Sequence, residues 1–234
     1  MPNKKQNFLR RNARVIALLL CLIFSFSILC PGGKLKFTPA PQKIGSAASP
    51  AAPDIPLREI CARKKIAYPL RHPRMIVRKT TRKIEVYDGD TLLKTYPVAF
   101  GHSPQGPKEK GGDGRTPEGE YYLIKHSSSG FGRCFYIAYP NADDAARGLK
   151  SGLITRAQHN SIVRNIRLRA YPPHDTPLGG LILLHGTKNR DTSNLTETNW
   201  TLGCIAMENA HILELLDAIP DSARPAITVV PMEK

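Results

Sequence analysis

Acidic residues are scarce in this sequence: 19 Asp and Glu stand against 34 Lys and Arg, a formal net charge of +15 over 234 residues. So basic a chain raises the question of nucleic acid, but the features that such binding brings are missing. There is no basic recognition helix, no zinc-finger spacing and no aromatic RNA-binding motif. No nucleic-acid partner is expected, and the charge suits an anionic polymer of another kind equally well. Internal repeats are missing too, which excludes solenoids and propellers. Hydrophobic residues make up 41% of the chain, enough for a real core. The length suits one domain with an appendage.

One uncharged, mainly apolar run stands out, Val15 to Cys30, and it follows Lys4, Lys5, Arg10, Arg11 and Arg14. It is short for a spanning helix, which needs about 20 residues, although the flanking sequence extends it. A basic flank before a short apolar stretch reads as a secretory signal peptide or a signal anchor over residues 1–30. No Ala-x-Ala site follows at once, and neither Cys21 nor Cys30 has the small preceding residue of a lipoprotein site. By the positive-inside rule the remainder is exported. Between Pro31 and Pro56 lie six of the 20 prolines, among glycines, serines and alanines. Such composition cannot bury enough apolar surface to fold, so residues 31–70 are expected to be a Pro/Gly/Ala-rich linker. The folded domain is expected over 71–234, opening near Leu70–Met75.

That domain reads as mainly β with a few helices. Met75 to Arg78 and Lys83 to Tyr87 alternate apolar and polar residues, and Asp88-Gly89-Asp90 supplies a hairpin turn into Leu92 to Phe100. Glu120 to Lys125, Cys134 to Tyr139 and Ala226 to Val230 are further strands. Gly180 to Leu184 is a wholly apolar run expected as a buried strand ending at His185. Helices are expected over Asn141–Leu149, with Asn141 as N-cap, over Thr155–Ile166, and over Met207–Ile219, where apolar residues recur at helical spacing.

Five cysteines are present, two of them inside the N-terminal run, leaving Cys61, Cys134 and Cys204. An odd number of exported thiols points to a reactive cysteine or an intermolecular bond; Cys61 and Cys134 either pair or stay reduced. Cys204 lies just ahead of the expected helix, where amides at a helix N-terminus favour thiolate. The amides of Gly203 and Cys204 are placed to donate to an oxyanion. His185, at a strand end before Gly186, is placed to take the thiol proton and return it to a leaving amine. No acidic residue is an obvious third member, so a backbone carbonyl is expected to orient the imidazole. A zinc site from His174, His185, Cys204 and His211 competes with this reading, but the spacing contains no compact ligand pair.

The string His185-Gly186-Thr187, followed by Thr201-Leu202-Gly203-Cys204-Ile205, resembles the signature of YkuD-type L,D-transpeptidases. Trp200 to Ala206 is similar to the branch with Trp-Thr-x-Gly-Cys-Ile-Ala, and Thr116-Pro117-Glu118-Gly119 to the family's Thr-Pro-x-Gly segment. The resemblance covers about Met75 to Pro231. It implies an L,D-transpeptidase catalytic domain whose partners are peptidoglycan stem peptides. The cysteine expels D-Ala from the third stem residue, and an amine resolves the thioester. That amine belongs to another stem, an envelope protein or a free D-amino acid; water in its place gives a carboxypeptidase or amidase. Residue by residue, Cys204 is the nucleophile and His185 the base. Gly186 offers the orienting carbonyl, Thr201 takes the usual Ser/Thr place, and Gly203 lies at the oxyanion hole. No cofactor or metal is implied, and the expected location is the bacterial cell envelope, periplasmic or on the outer face of the inner membrane. Two departures stand out. Ala206 replaces a common Arg, and an insert from Gly148 to Pro177 carries Arg156, Arg164, Arg167 and Arg169, either as a cationic lid or as a solvated helix face. A sortase is disfavoured because Gly203 directly precedes the cysteine, and a non-catalytic wall-binding module because the Cys, His and Gly set is intact.

Overall fold

Glu214 collects the two ends of the domain. Its carboxylate accepts from the Leu57 amide, from Lys94 Nζ at 2.9 Å and from the Tyr96 hydroxyl at 2.7 Å. The structure, a computed structural model, describes residues 54–130, 132–188, 195 and 197–232. The expected signal segment and most of the expected linker lie outside the described residues. Where the linker overlaps them, it is already folded: helix α1 (Leu57–Arg63) places Leu57 and Cys61 at 0% exposure. The folded part therefore begins before Leu70, because α1 has its apolar face and first amide satisfied by the distant Glu214 helix.

Eight strands form one sheet: β1 (Pro73–Arg78), β2 (Lys83–Asp88), β3 (Thr91–Pro97), β4 (Gly119–Ser129), β5 (Gly132–Ile137), β6 (Leu183–Gly186), β7 (Ile205–Met207) and β8 (Ala226–Val230). Their order is β3-β2-β1-β8-β4-β5-β6-β7. The β2–β3 hairpin turns at Gly89, whose φ of 55° is cheap only without a Cβ. The long β4 joins the halves of the sheet, pairing with β8 through its first residues and with β5 thereafter. Two pairs run parallel, β1 with β8 and β6 with β7. The mainly β expectation therefore holds, with four helices among the described residues.

Helix α2 (Ala142–Lys150) starts at Asn141, whose side chain accepts from the Asp144 amide while Asp144 accepts from the Asn141 amide at 2.9 Å. Helix α3 (Arg156–Arg167) has the same reciprocal cap between Thr155 and Gln158. These helices enclose a small core of Ala145, Ile154, Ile162 and Leu178, apart from the main one. Helix α4 (Asn209–Ala218) packs Ile212, Leu215 and Leu216 against the sheet. Among the described residues, no helix is long and apolar enough to cross a membrane.

Two expected elements differ. The apolar run from Gly180 is strand only from Leu183, because Leu181 has φ 55° and stands half exposed. The helix expected from Met207 begins at Asn209, and Ile205–Met207 is instead a fully buried strand. Three apolar residues in a row cannot declare their period; pairing with β6 decides it.

Candidate active site

Cys204 stands immediately before β7, not at a helix N-terminus, so helical amides are not what acts on its thiol. The parallel register pairs Leu184 with Ile205 and His185 with Ala206, which puts Cys204 level with Leu183. Residues level across neighbouring strands share a face, as do residues two apart along one strand. Cys204, Leu183 and His185 therefore share one face, thiol and imidazole diagonal to each other. The Leu183 amide donates to Cys204 Sγ at 3.4 Å, and Sγ points to the Leu181 carbonyl at 3.8 Å.

His185 is buried, and its Nδ1 lies 2.6 Å from the Gly186 carbonyl oxygen. A carbonyl can only accept, so Nδ1 carries the proton and Nε2 presents its lone pair. Burial pulls the imidazole below the ordinary histidine value, with the Gly186 carbonyl opposing. Burial likewise pushes the Cys204 thiol up, against the Leu183 amide and the Lys108 charge, while Cys134 adds to the rise. The resting pair is therefore thiol and neutral imidazole. The thiolate expected from a helix dipole is thus replaced by a thiol beside a neutral imidazole.

Thr201 clamps the loop before the nucleophile. Its hydroxyl donates to the Cys204 carbonyl at 2.7 Å and accepts from the Gly203 amide at 3.1 Å. This corrects the expected pair of oxyanion donors: the Gly203 amide is already engaged, and of the two only the Cys204 amide stays a candidate. Gly203 is demanded by space instead. Its φ is 133°, and an added Cβ would stand 2.7 Å from the Arg115 carbonyl oxygen. Gly203→Ala is expected to push the nucleophile loop off the Arg115–Thr116 segment and to lower kcat/KM by about 100-fold with the fold retained, since misplacement by an ångström costs that much; steady-state kinetics beside a thermal melt would check it.

The sequence marked Thr116, Glu118 and Trp200 only as parts of motifs, and it gave no signal for Lys79 or Tyr171. The Thr116 hydroxyl accepts from the Gly101 amide at 2.9 Å. Beneath it, buried Lys79 donates to the Thr116 carbonyl at 2.9 Å and to the Glu118 carboxylate at 2.7 Å. The Tyr171 hydroxyl accepts from the Leu181 amide at 2.9 Å and so steadies the arch over the thiol. Trp200 lies edge-on to His185, centroids 6.0 Å apart. Beside the nucleophile loop, a cleft of about 290 Å³ is lined by Lys108, Gly112, Gly114, Gly180, Ile182 and Leu202.

The insert does not form a cationic lid over Cys204. Arg169 stacks on Tyr122 and donates to the Arg224 carbonyl at 2.6 Å, while Arg164 and Arg167 edge a separate surface hollow on α3. The four candidate zinc ligands do not converge, because His211 sits against Tyr96 and Asp54. No disulfide joins Cys61 to Cys134.

Comparison with solved structures finds the helical cell shape determining protein Pgp2 from Campylobacter jejuni at 23% identity, covering 76% of this chain and 55% of that one, TM-score 0.47. Bd1075 of Bdellovibrio bacteriovorus matches at 21% identity over 70% of this chain and 48% of that one, TM-score 0.42. L,D-transpeptidase 1 of Mycobacterium tuberculosis matches at 12% identity over 68% and 62%, TM-score 0.36. The chain thus spans about half the length of the first two. No curated protein matches it. The family described as the L,D-transpeptidase catalytic domain, YkuD, matches residues 72–230, from just before β1 to the last residue of β8 with His185 and Cys204 inside. The chain belongs to the YkuD family of L,D-transpeptidase catalytic domains.

Proposed function

We propose that this domain is a cysteine acyltransferase acting on peptidoglycan tetrapeptide stems, with Cys204 as nucleophile and His185 as base. The observation that carries the reading is the shared face of Cys204 and His185, with the imidazole tautomer held by the Gly186 carbonyl. Nε2 takes the thiol proton as Sγ attacks the carbonyl carbon of the third stem residue. The tetrahedral oxyanion is met by the Cys204 amide. Its collapse breaks the amide bond, and D-Ala leaves with the proton from the imidazolium, leaving a thioester. An incoming amine then gives its proton to His185, forms the new amide, and the proton returns to sulfur. No step calls for a metal or a cofactor.

Thr201, Gly203 and Gly186 act here as the frame of the nucleophile and base. The Trp200 to Ala206 string fits the branch with that motif. The location we infer is the cell envelope, with residues 1–30 as signal or anchor, 31 onward as a linker into the folded part, and the domain on the outer side of the inner membrane. Acceptors fitting the chemistry are a second stem, an envelope-protein lysine or a free D-amino acid.

Purified domain incubated with disaccharide tetrapeptides, products read by mass spectrometry, tests the reading. Crosslinked dimers are the expected result. Tripeptides alone would replace transfer by hydrolysis at the same site. Untouched stems, with the protein folded, would sink the proposal.

A further inference from the structure

His185 sits in a row that crosses four chain segments. The register pairs it with Ala206 of β7, and Ala206 in turn bridges Ala99 through two backbone hydrogen bonds of 2.8 and 2.9 Å. On the β5 side Phe135 pairs with Leu184, so the next step along that antiparallel ladder brings Cys134 level with His185. One flank of the imidazole therefore carries a buried thiol, and the row on the other flank carries the methyl groups of Ala206 and Ala99. Two alanines leave a hollow at a sheet edge. Leu195 and Trp200 fill it, packed against Ala99 and Ala206. The indole meets the imidazole at an interplanar angle of 76°, an edge-to-face contact. The Trp200 and Thr201 amides both donate to the Phe100 carbonyl at 3.1 Å, which ties the indole's backbone to the clamp of the nucleophile loop.

We propose that Trp200 is a positioning residue for His185: seated in the hollow that Ala206 and Ala99 leave, its indole closes that flank to water and holds the imidazole in one orientation. Ala206 then has a structural purpose, since an arginine side chain there would occupy the seat of the indole. This rests on the reading of His185 as the base. Among the described residues, the titratable side chains that the register brings to the imidazole are the thiols of Cys134 on β5 and of Cys204 just before β7. Helix α4 meets this end of β6 through uncharged Asn209 and Ile212 at Gly186. The titratable groups of α4 are engaged elsewhere, His211 with Asp54, Glu214 with Lys94 and exposed Asp217 with Arg133. Exclusion of water, more than a charged neighbour, therefore governs the protonation of His185, in keeping with its lowered pKa and burial as the leading cause.

The sign follows directly. The base works when neutral, so the acidic limb of the rate profile tracks the His185 midpoint. Admitting water raises that midpoint toward the ordinary value of about 6.5 and moves the limb to higher pH. The experiment uses the full chain with Trp200→Ala and Trp200→Phe. It reads the His185 midpoint by NMR of labelled histidine, and the pH dependence of Cys204 alkylation by iodoacetamide and of kcat/KM on stems. For Trp200→Ala we expect the midpoint and both profiles to rise together by about half a unit or more, with kcat/KM down about three-fold or more on the acidic side. Trp200→Phe, which refills the seat, is expected to restore the wild-type midpoint. A folded Trp200→Ala protein with unmoved midpoint and profiles would overturn the proposal, as would a Trp200→Phe protein shifted as far as Trp200→Ala. If wild-type protein leaves stems untouched, the acyltransferase reading fails alone, because the NMR midpoint still decides the role of Trp200.

Discussion

Cys204→Ala is expected to abolish both turnover of stems and the covalent adduct that carbapenems form with enzymes of this chemistry. Of the two thiols on that face Cys204 is the one not fully buried, and His185 without it loses the proton it is placed to take. Losing a nucleophile costs at least about 10⁴-fold in rate, because the residual activity comes only from binding and oxyanion stabilisation. Intact-mass spectrometry of native and variant protein after carbapenem treatment checks it: one adduct on the native chain, none on the variant. Cys61 and Cys134 serve as internal controls, both at 0% exposure. An adduct surviving on Cys204→Ala would reject the nucleophile assignment, and Cys134, level with His185, would be the next thiol to examine. The fold should be unaffected, since Cys204 contributes one hydrogen bond from Leu183 and little packing.

Lys79→Met is expected to be the most destabilising single change outside the apolar core. The Lys79 side chain is 0% exposed and that of Glu118 9%, their charges 2.7 Å apart, and Nζ also donates to the carbonyls of Thr116 and Gly106. Burial pulls the ammonium below the ordinary lysine value, while Glu118 pulls it back. Such a pair adds little over an apolar pair of the same volume, but removing one partner strands the other charge and costs about 3–5 kcal/mol. For a domain of this size that lowers Tm by roughly 10 °C. The double variant Lys79→Met with Glu118→Leu should recover most of the loss. Calorimetry on the three proteins decides it, and a Lys79→Met melt within about 2 °C of wild type would reject the account. Activity should fall along with stability, because Lys79 holds the Arg115–Glu118 segment on which Gly203 rests.

These two predictions differ in how legible their residues were. Cys204 could be singled out from the string around it, since thiol, preceding glycine and upstream His-Gly are neighbours in sequence. Lys79 could not. It follows an alternating strand as one of several basic residues, and nothing local separates it from the exposed Lys83. Its burial depends on Glu118 and Gly106 arriving from other segments. Tyr171 is a similar case, and Trp200, though marked by its motif, had no contact that the sequence could name. Each is a single aromatic in a loop, given a role by a residue on β6 or the arch before it.

Elements set by local chemistry were readable in advance. The Asp88-Gly89-Asp90 turn, the Asn141 and Thr155 caps and strand β8 all follow from residues within a few positions of each other. Elements set by distant partners were not. Helix α1 hides in a stretch that composition alone assigns to a linker, because its first amide is satisfied by Glu214, far along the chain. The short β7 replaces an expected first helical turn because β6 is there to pair with it.

The sequence by itself determined the family and the mainly β class, and it singled out Cys204, His185 and Gly186 as candidates, because a contiguous motif encodes chemical types and turn geometry. Only the tertiary structure decided the protonation of the pair. A helix dipole would make a thiolate, whereas burial at the edge of a sheet keeps the proton on sulfur and the imidazole neutral. It also decided that the Gly203 amide serves Thr201 and that Ala206 makes room for Trp200. Motifs specify which groups meet; how much water and charge surrounds them depends on segments folded from far along the chain.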